Sequence, residues 1–310
     1  MRAVVTLGYG ALPIVTELDT PTVGPGEVRV KVRSSSLNGF DTALVHGFFR
    51  GIIEHEFPVV LGRDFAGTVD QVGDGVTAFA PGDEVFGVVL TQPLRAGGFG
   101  EYVVVPEHHS IARLPAGLDH ATAGVLGLAG TAAITAVDHV GARAGDTVLV
   151  AGATGGVGAI AMQLLTATGA VVVATASGGT ETEHVRRLGA AHVVDYRADL
   201  AAAVREFAPG GVAAVIHCAG DPVALAELVA AGGRFVSLLG IDPAMFAGRD
   251  LQAHSVAAAP ARATLESLGG DAAAGRLTVP IQRSYRLDQV PEAFADFTTG
   301  TLGKLAVTLD

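Results

Sequence analysis

The stretch from residue 147 to 240 constrains the fold most, because short apolar segments alternate there with segments of helical character. The strand-like segments are TVLVAGA (147–153), AVVVATA (170–176), HVVDY (192–196), VAAVIHCAG (212–220) and GRFVSLLG (233–240), with helices expected at 157–165, 181–188 and 223–230. Strands buried on both faces read as continuous apolar runs, and parallel strands need helical crossovers. The alternation therefore predicts a doubly wound parallel sheet.

The residues on either side of this stretch predict a second, β-rich domain. Before residue 120, short β-branched runs are separated by turn signals such as GPGE (24–27) and PGDE (81–84), which is typical of a barrel-like domain. After residue 260, helix-like segments at 261–275 and 288–297 precede a strand at 304–310 that needs a sheet to join. We expect a domain of residues 1–122 completed by 261–310, and a parallel-sheet domain of residues 123–260.

The motif AlaThrGlyGlyValGly at 153–158 follows the first predicted strand and opens the first helix. Gly155 lets the backbone approach a pyrophosphate, and Gly158 lets helix and strand pack closely. The free N–H groups of a helix N-terminus favour an anion. A glycine-rich turn without a ligand is the alternative, but the surrounding strands favour a dinucleotide. The predicted contacts are Ala153, Thr154, Gly155, Gly156 and Val157.

The end of the second strand bears on the choice between NADPH and NADH. AlaThrAlaSer at 174–177 has no acid where NAD-binding folds usually place one for the ribose 2′-hydroxyl. Ser177 can hydrogen-bond a 2′-phosphate, whereas Glu181 would repel one. Arg186 and Arg187 stand farther along the helix. The sequence favours NADPH over NADH and leaves both open.

Composition excludes several other classes of protein. The net charge of −11 provides no basic face for nucleic acid or anionic lipid, so a small-molecule substrate is expected. Cys218 is the only cysteine, which excludes a cysteine-rich zinc site and fits a cytoplasmic protein; we expect an inert core thiol that also borders the cofactor. Thr147 to Thr180 lacks charged residues, but its strand–helix–strand pattern argues against a membrane span.

Several motifs together resemble the medium-chain dehydrogenase/reductase superfamily, nearest its zinc-independent quinone oxidoreductases and enoyl reductases. They are PGEVRVKVRSSSLNGFD (25–41), FPVVLGRDFAGTVDQVGDGVTAFAPGDEVFG (57–87), GGFGEYVVVP (97–106), LGLAGTAAITA (126–136), the 153–158 motif, RRLGAAHVVDY (186–196) and GKLAVTLD (303–310). The resemblance implies a GroES-like β-barrel domain and a Rossmann domain, an active site in the cleft between them, and a homodimer.

The same resemblance implies that no metal is bound at the catalytic site. Zinc-dependent relatives have a cysteine at the position of Asn38 and Gly-His-Glu at that of Gly62–Arg63–Asp64. Arg63 would place a permanent positive charge where the cation sat. A zinc-free site is better suited to hydride transfer to a quinone or an α,β-unsaturated carbonyl compound than to alcohol oxidation.

The resemblance also assigns roles to individual residues. Asn38, Asp41 and Arg63 are expected in the catalytic site, with Arg63 beside Asp41. Contacts to the cofactor outside the glycine motif are expected from Thr131, Ser177, Tyr196, Cys218, Leu239, Gly240 and Ile241. Lys304 is expected to be a solvated strand residue.

The proton donor is not identified, because Ala43 and Val45 stand where relatives often have tyrosine and arginine. Water or the cofactor ribose is an alternative donor. His46 and His55 are expected either to border the substrate pocket or to lie in a surface loop.

Two further functions remain open at this point. One is a biosynthetic tailoring enoyl reductase with one dedicated substrate. The other is a cofactor-binding structural or regulatory protein without turnover. The absence of the tyrosine and arginine at positions 43 and 45 is consistent with this function.

Overall fold

The computed structural model describes residues 1–309, and the chain divides into two compact units. The first unit is Met1–Leu128 together with the segment from Pro260 onward, and the second is Ala129–Ala259. The units divide after residues 128 and 259. The boundaries expected from the sequence are after residues 122 and 260. None of the helices within residues 1–309 is long and apolar enough to cross a membrane.

The N-terminal part of the first unit is rich in strands, as the turn signals predict. Its elements are β1 (Arg2–Thr6), β2 (Ile14–Glu17), β3 (Glu27–Leu37), α1 (Gly39–Val45), β4 (Val59–Val60), β5 (Asp64–Val72), β6 (Glu84–Val88), β7 (Tyr102–Pro106), β8 (Ile111–Arg113) and α2 (His120–Ala123). The next helix, α3 (Gly127–Val140), begins just before the boundary between the units.

The second unit is a six-stranded parallel sheet with connecting helices. Its elements are β9 (Thr147–Ala151), α4 (Gly156–Ala167), β10 (Val171–Thr175), α5 (Gly178–Arg187), β11 (His192–Val194), α6 (Leu200–Phe207), β12 (Val212–His217), α7 (Pro222–Ala226), β13 (Val229–Ser237) and β14 (Leu251–Ser255). The strand order is β11-β10-β9-β12-β13-β14, with every neighbouring pair parallel. Strand order reverses between β9 and β12, where doubly wound sheets open a ligand crevice.

The helix expected at 223–230 is wrong in its second half. The structure ends α7 at Ala226 and begins β13 at Val229. The Val212 N–H donates to the carbonyl oxygen of Leu228 at 2.8 Å, and Val212 pairs with Val229 in parallel register. Pairing with β12 therefore overrides the local helical pattern.

The C-terminal segment completes the first unit, as its last apolar run predicts. It contains α8 (Arg262–Ala273), β15 (Ile281–Arg286), α9 (Val290–Phe297) and β16 (Lys304–Thr308). β16 pairs antiparallel with β3 and parallel with β15, within a sheet ordered β15-β16-β3-β5-β6-β8, and β7 also pairs with β3. Asp310, the last residue of the expected strand, lies outside the described residues.

The burial of β3 explains how the chain carries polar residues into the interior. Val28, Val30 and Val32 alternate with more exposed neighbours, but every residue from Ser34 to Leu37 is buried. Pairing of Ser34–Leu37 with β16 covers this end of the strand. The polar segment that follows Leu37 therefore begins inside the unit.

Candidate active site

The glycine motif forms the turn between β9 and α4 in the second unit. Gly152 has φ of +81°, a conformation that favours glycine. A Cβ on Gly158 would lie 2.3 Å from the carbonyl oxygen of Gly152 and 2.8 Å from Cα of Ala153, so only glycine allows α4 to lie this close to β9. Gly155 is the N-cap of α4, and the side chain of Ala153 is fully buried. The Gly155 N–H donates to the carbonyl oxygen of Gly152 at 3.3 Å, and the N–H groups of Gly156 and Val157 open α4, where a helix N-terminus suits a pyrophosphate.

The loops that follow the other strands lie at the same edge of the sheet, because the carboxyl ends of parallel strands share one edge. Ser177 follows β10, Tyr196 follows β11, Cys218 follows β12, and Leu239–Ile241 follow β13. Leu239 is 56% exposed and Tyr196 is 46% exposed, so both can contact a ligand. Thr131, by contrast, is fully buried within α3.

The loop after β10 surrounds Ser177 with acidic side chains. Glu181 accepts hydrogen bonds from the Ser177 N–H at 2.7 Å and from the Tyr196 hydroxyl at 3.2 Å. Hydrogen bonds from the Arg197 N–H and the Ser177 hydroxyl lower the pKa of Asp195. Glu181 stands four residues after Ser177 in the sequence, but its carboxylate contacts the backbone of Ser177 and therefore lies at the end of β10.

A cavity of about 320 Å³ adjoins this loop. Arg186 lines it together with Gly178, Gly179 and Asp195. Arg186 stands farther along α5 in the sequence but lines the same pocket as Ala176 after β10, because residues three to four apart lie on one face of a helix.

A buried histidine that the sequence analysis did not assign lies at the end of β12. The Nε2 atom of His217 is 3.1 Å from the carbonyl oxygen of Gly220, which can only accept, so Nε2 carries the proton. The Nδ1 atom then accepts from the Ser237 hydroxyl at 2.9 Å, and the Ser237 oxygen accepts from the Leu239 N–H at 3.1 Å. Burial lowers the pKa of His217. This chain of contacts fixes the backbone at Leu239.

Cys218, the next residue, is half-buried, and burial of the thiol raises its pKa to about 12. A thiol with this pKa is not a thiolate at neutral pH, as expected for a cysteine without nucleophilic activity.

In the first unit, the residues predicted for a catalytic site form a buried polar cluster around the start of α1. The Asp41 carboxylate accepts from the N–H of Asn38 at 3.0 Å and from the N–H of Gly62 at 2.8 Å. Arg63 is completely buried, and its Nε lies 3.9 Å from the Asp41 carboxylate, as the sequence analysis expected. Burial raises the pKa of Asp41, while Arg63 and the two N–H groups oppose that rise.

Arg63 is held by backbone carbonyl groups as well as by Asp41. Its Nη2 donates to the carbonyl oxygen of Val60 at 2.6 Å and its Nη1 to that of Val89 at 3.4 Å, while the guanidinium carbon lies 5.7 Å from the centre of the Phe40 ring. The Nε atom has no hydrogen-bond partner. The guanidinium is thus fixed without contact with solvent.

Asp64 is fully buried in the same cluster. Its carboxylate accepts from the Ser36 hydroxyl at 2.5 Å, from the Asn38 side-chain amide at 2.9 Å and from the Leu128 N–H at 2.6 Å. The Lys304 ammonium lies 3.7 Å from it. Asp64 therefore has both an ionic partner and three neutral donors.

The expectation that Lys304 is a solvated strand residue is wrong. The residue is only 4% exposed, and its ammonium donates to the side-chain oxygen of Asn38 and to the carbonyl oxygen of Leu37. β16 lies between β3 and β15, so residues 304–307 are all buried. Burial lowers the pKa of Lys304.

The cluster is balanced in charge, with Asp41 and Asp64 against Arg63 and Lys304. Isolated charges in the interior are very costly, and pairing offsets that cost. Among residues 1–309, no group of three or more His, Cys, Asp or Glu side chains is arranged to hold a metal ion. The arrangement can hold Asn38 rigidly at the start of α1.

Two histidines of the segment after α1 differ in their surroundings. His46 is exposed and its Nδ1 lies 2.7 Å from the carbonyl oxygen of Thr42. His55 is half-buried and hydrogen-bonded to the hydroxyl of Tyr9, a residue that the sequence analysis did not single out.

Comparisons with known proteins match both units. A model of the alcohol dehydrogenase GroES-like domain matches residues 24–116, and a zinc-binding dehydrogenase model matches residues 188–307. A chloroplastic quinone oxidoreductase from Triphysaria versicolor is 35% identical over 71% of this chain and 68% of its own length. A mycocerosic acid synthase-like polyketide synthase from Mycobacterium tuberculosis is 35% identical over 69% of this chain, which is 10% of that protein.

A solved structure covers the chain from end to end. The quinone oxidoreductase from Coxiella burnetii superposes with a TM-score of 0.89 at 25% identity, over 100% of this chain and 99% of its own. The expected fold class, a GroES-like domain with a Rossmann-like parallel-sheet domain, is therefore confirmed. Fold and relatives define an NAD(P)H-dependent oxidoreductase. The chain belongs to the medium-chain dehydrogenase/reductase superfamily, in its quinone oxidoreductase branch.

Proposed function

We propose that this protein is a zinc-independent reductase that uses NADPH to reduce a quinone or an α,β-unsaturated carbonyl compound. The observation that carries the proposal is the buried, charge-balanced cluster of Asn38, Asp41, Arg63, Asp64 and Lys304. Asn38 offers an amide rather than a thiolate, and Arg63 adds a fixed positive charge beside it. The carboxylates of Asp41 and Asp64 already accept from donors within the cluster and lie near Arg63 and Lys304, which disfavours a divalent cation there.

Without a metal to stabilise an alkoxide, reduction of a conjugated acceptor suits the site better than oxidation of an alcohol. The bound nicotinamide supplies the hydride. Asp41 and Arg63 are completely buried, so we assign them a positioning role: they hold Gly62 and the start of α1. Asn38, at 7% exposure, is the member of this set nearest to solvent.

The relatives support the acceptor class in two ways. The plant relative and the bacterial structure are both called quinone oxidoreductases, which favours a quinone. The match to a tenth of a polyketide synthase favours the second candidate, a biosynthetic reductase for one dedicated unsaturated substrate. A panel with menadione, cyclohexenone and a 2-enoyl thioester separates them: a biosynthetic reductase reduces one thioester and neither general acceptor.

For the cofactor, we propose NADPH because Arg186 lines the pocket at the end of β10, and the Ser177 hydroxyl donates to Asp195, another residue of that pocket. Glu181 and Asp195 oppose a 2′-phosphate there and limit the preference. Arg186→Ala should weaken NADPH binding about tenfold, the loss expected for one charge-assisted hydrogen bond, and leave NADH binding unchanged. Arg187→Ala, one residue along α5 and also exposed, is the matched control. Titration of the wild type in which NADH binds as tightly as NADPH would refute the preference.

A further inference from the structure

Tyr9 and His55 come from distant parts of the first unit and form a hydrogen-bonded pair. Tyr9 lies in the connection between β1 and β2, and His55 lies in the connection between α1 and β4. The Tyr9 hydroxyl contacts Nε2 of His55 directly. Both residues are half-buried, so the pair is packed by protein and still open to solvent.

The surroundings of His55 set the direction of this hydrogen bond. Its Nδ1 lies 2.7 Å from the carbonyl oxygen of Ile53, which can only accept, so Nδ1 carries the proton of the neutral ring. Nε2 is then an acceptor, and the Tyr9 hydroxyl donates to it. The carbonyl group therefore fixes the tautomer in which Nε2 of His55 accepts from Tyr9.

Backbone contacts hold both partners in place. The N–H of Gly10 donates to the carbonyl oxygen of Val45 at 2.7 Å, which ties the turn of Tyr9 to the end of α1. On either side of His55, the Leu94 N–H donates to the carbonyl oxygen of Glu54 at 2.8 Å, and the Glu56 N–H donates to the carbonyl oxygen of Leu94 at 3.1 Å.

The packing around Tyr9 also depends on Gly47. This residue has φ of +80°, and a Cβ on it would lie 3.2 Å from the Tyr9 ring. The Arg50 guanidinium lies 5.6 Å from the centre of the ring on one side, and Phe57 meets it edge-on with centroids 5.2 Å apart. A positive charge over the ring stabilises the phenolate that proton donation would leave.

The two connections that carry this pair also expose apolar side chains. Their exposed fractions run from 59% to 83%, and the residues are Leu7, Leu12, Phe48 and Ile52. Isolated exposed apolar residues are common, but a group beside a polar pair suits the apolar body of a quinone or enone. The pair also adjoins the end of α1, where Ala43 and Val45 provide no proton donor.

We propose that Tyr9 is the proton donor of the reductase and that His55 is the positioning residue that restores its proton. The inference rests on the proposed function. Hydride adds to the β-carbon of the enone, the electron pair of the C=C bond moves between the α-carbon and the carbonyl carbon, and the pair of the C=O bond moves to oxygen to give an enolate. The Tyr9 hydroxyl turns from His55 to the substrate and its O–H bond breaks. Its proton goes to the α-carbon as the C=O bond re-forms. His55 takes one proton from solvent water at Nε2 and passes it to the phenolate, so each turnover consumes one hydride and one proton.

Steady-state reduction of cyclohexenone by the full chain with NADPH tests the pair. Tyr9→Phe should lower kcat about 100-fold, the usual contribution of a general acid, and leave KM and the Kd of NADPH within a factor of about three. His55→Ala should lower kcat about tenfold or more, and added imidazole should restore part of the loss. Imidazole rescue is a response that a purely structural histidine would not give.

Two further variants separate chemistry from packing. Tyr102→Phe is the matched control, since Tyr102 is also half-buried and has an arginine, Arg29, 5.5 Å from its ring centre; it should retain the kcat of the wild type. Phe57→Leu removes a ring that packs on Tyr9 but keeps the pair, and kcat should fall no more than about threefold. Thermal melting checks that each variant is folded.

If the wild type is active and Tyr9→Phe keeps a kcat within twofold of it, Tyr9 is not the proton donor. The proposed function would still stand. An equal loss in Tyr9→Phe and Phe57→Leu, with no imidazole rescue of His55→Ala, would also overturn the assignment of Tyr9. Wild type that binds NADPH but reduces neither cyclohexenone nor menadione would refute the proposed function, and the proton donor with it.

Discussion

Replacing Lys304 with methionine tests the buried cluster most sharply. Methionine keeps an unbranched chain in the same space but removes the ammonium that lies 3.7 Å from Asp64 and contacts Asn38. At an effective dielectric constant of about 20, two charges at this distance attract with about 4.5 kcal/mol before desolvation is counted. Breaking a buried pair by removing one partner typically costs about 3–5 kcal/mol.

The surroundings of Asp64 place the expected loss near the lower end of that range. Ser36, Asn38 and the Leu128 N–H still donate to the carboxylate when Lys304 is gone. We therefore expect Lys304→Met to lower the free energy of unfolding by about 3 kcal/mol. In the double variant with Asp64→Asn, about half of that loss should be recovered, because no buried charge is left without its partner.

Urea unfolding followed by circular dichroism measures the loss, and hydrogen exchange locates it. Exchange should increase at residues 36–41 and 304–309 and remain unchanged in the parallel sheet. Lys31 is the only other lysine of the chain and lies exposed on β3, so Lys31→Met is the matched control and should change stability by less than about 0.5 kcal/mol. Equal losses for the two lysine variants would show that the Lys304–Asp64 pair does not stabilise the first unit.

Two further predictions concern the second unit. Gly158→Ala should destabilise the protein by about 1–3 kcal/mol and weaken NADPH binding, because the added Cβ meets backbone of the β9–α4 turn; calorimetry measures both, and Gly270→Ala, where nothing lies within 4 Å, should do neither. Because burial lowers the pKa of His217, the unfolded state binds more protons between that lowered pKa and 6.5, so stability is lost as pH falls through this window. Burial also lowers the pKa of His184, so His217→Gln should reduce but not abolish that pH dependence of the urea midpoint, whereas His46→Gln, at an exposed site, should retain it in full; identical pH profiles for both variants would contradict the assignment.

Local patterns in the sequence predict much of the fold and part of the site. The 153–158 motif carries its own context, since a strand precedes it and a helix follows it, and its position in the structure agrees. Asn38 and Arg63 could be named because each stands at a recognisable place in a family motif. These features are contained in short segments, and short segments are what a sequence pattern records.

Long-range contacts could not be predicted in the same way. A terminal strand usually has an exposed face, which favours a solvated Lys304, but its burial depends on β3, more than 260 residues away. Tyr9 carries no local signal, and its partner lies 46 residues along the chain. His217 lies within an apolar strand pattern, and only the parallel pairing with β13 brings it to Ser237.

We propose that this chain transfers hydride from NADPH to a conjugated acceptor without zinc. The most direct measurement is NADPH oxidation with menadione, followed by absorbance, using protein dialysed against a chelator and shown to be zinc-free by elemental analysis. We expect steady turnover at a rate that added zinc does not raise. A zinc-free protein that is inactive until zinc is restored, or one that binds NADPH and never oxidises it, would contradict this proposal.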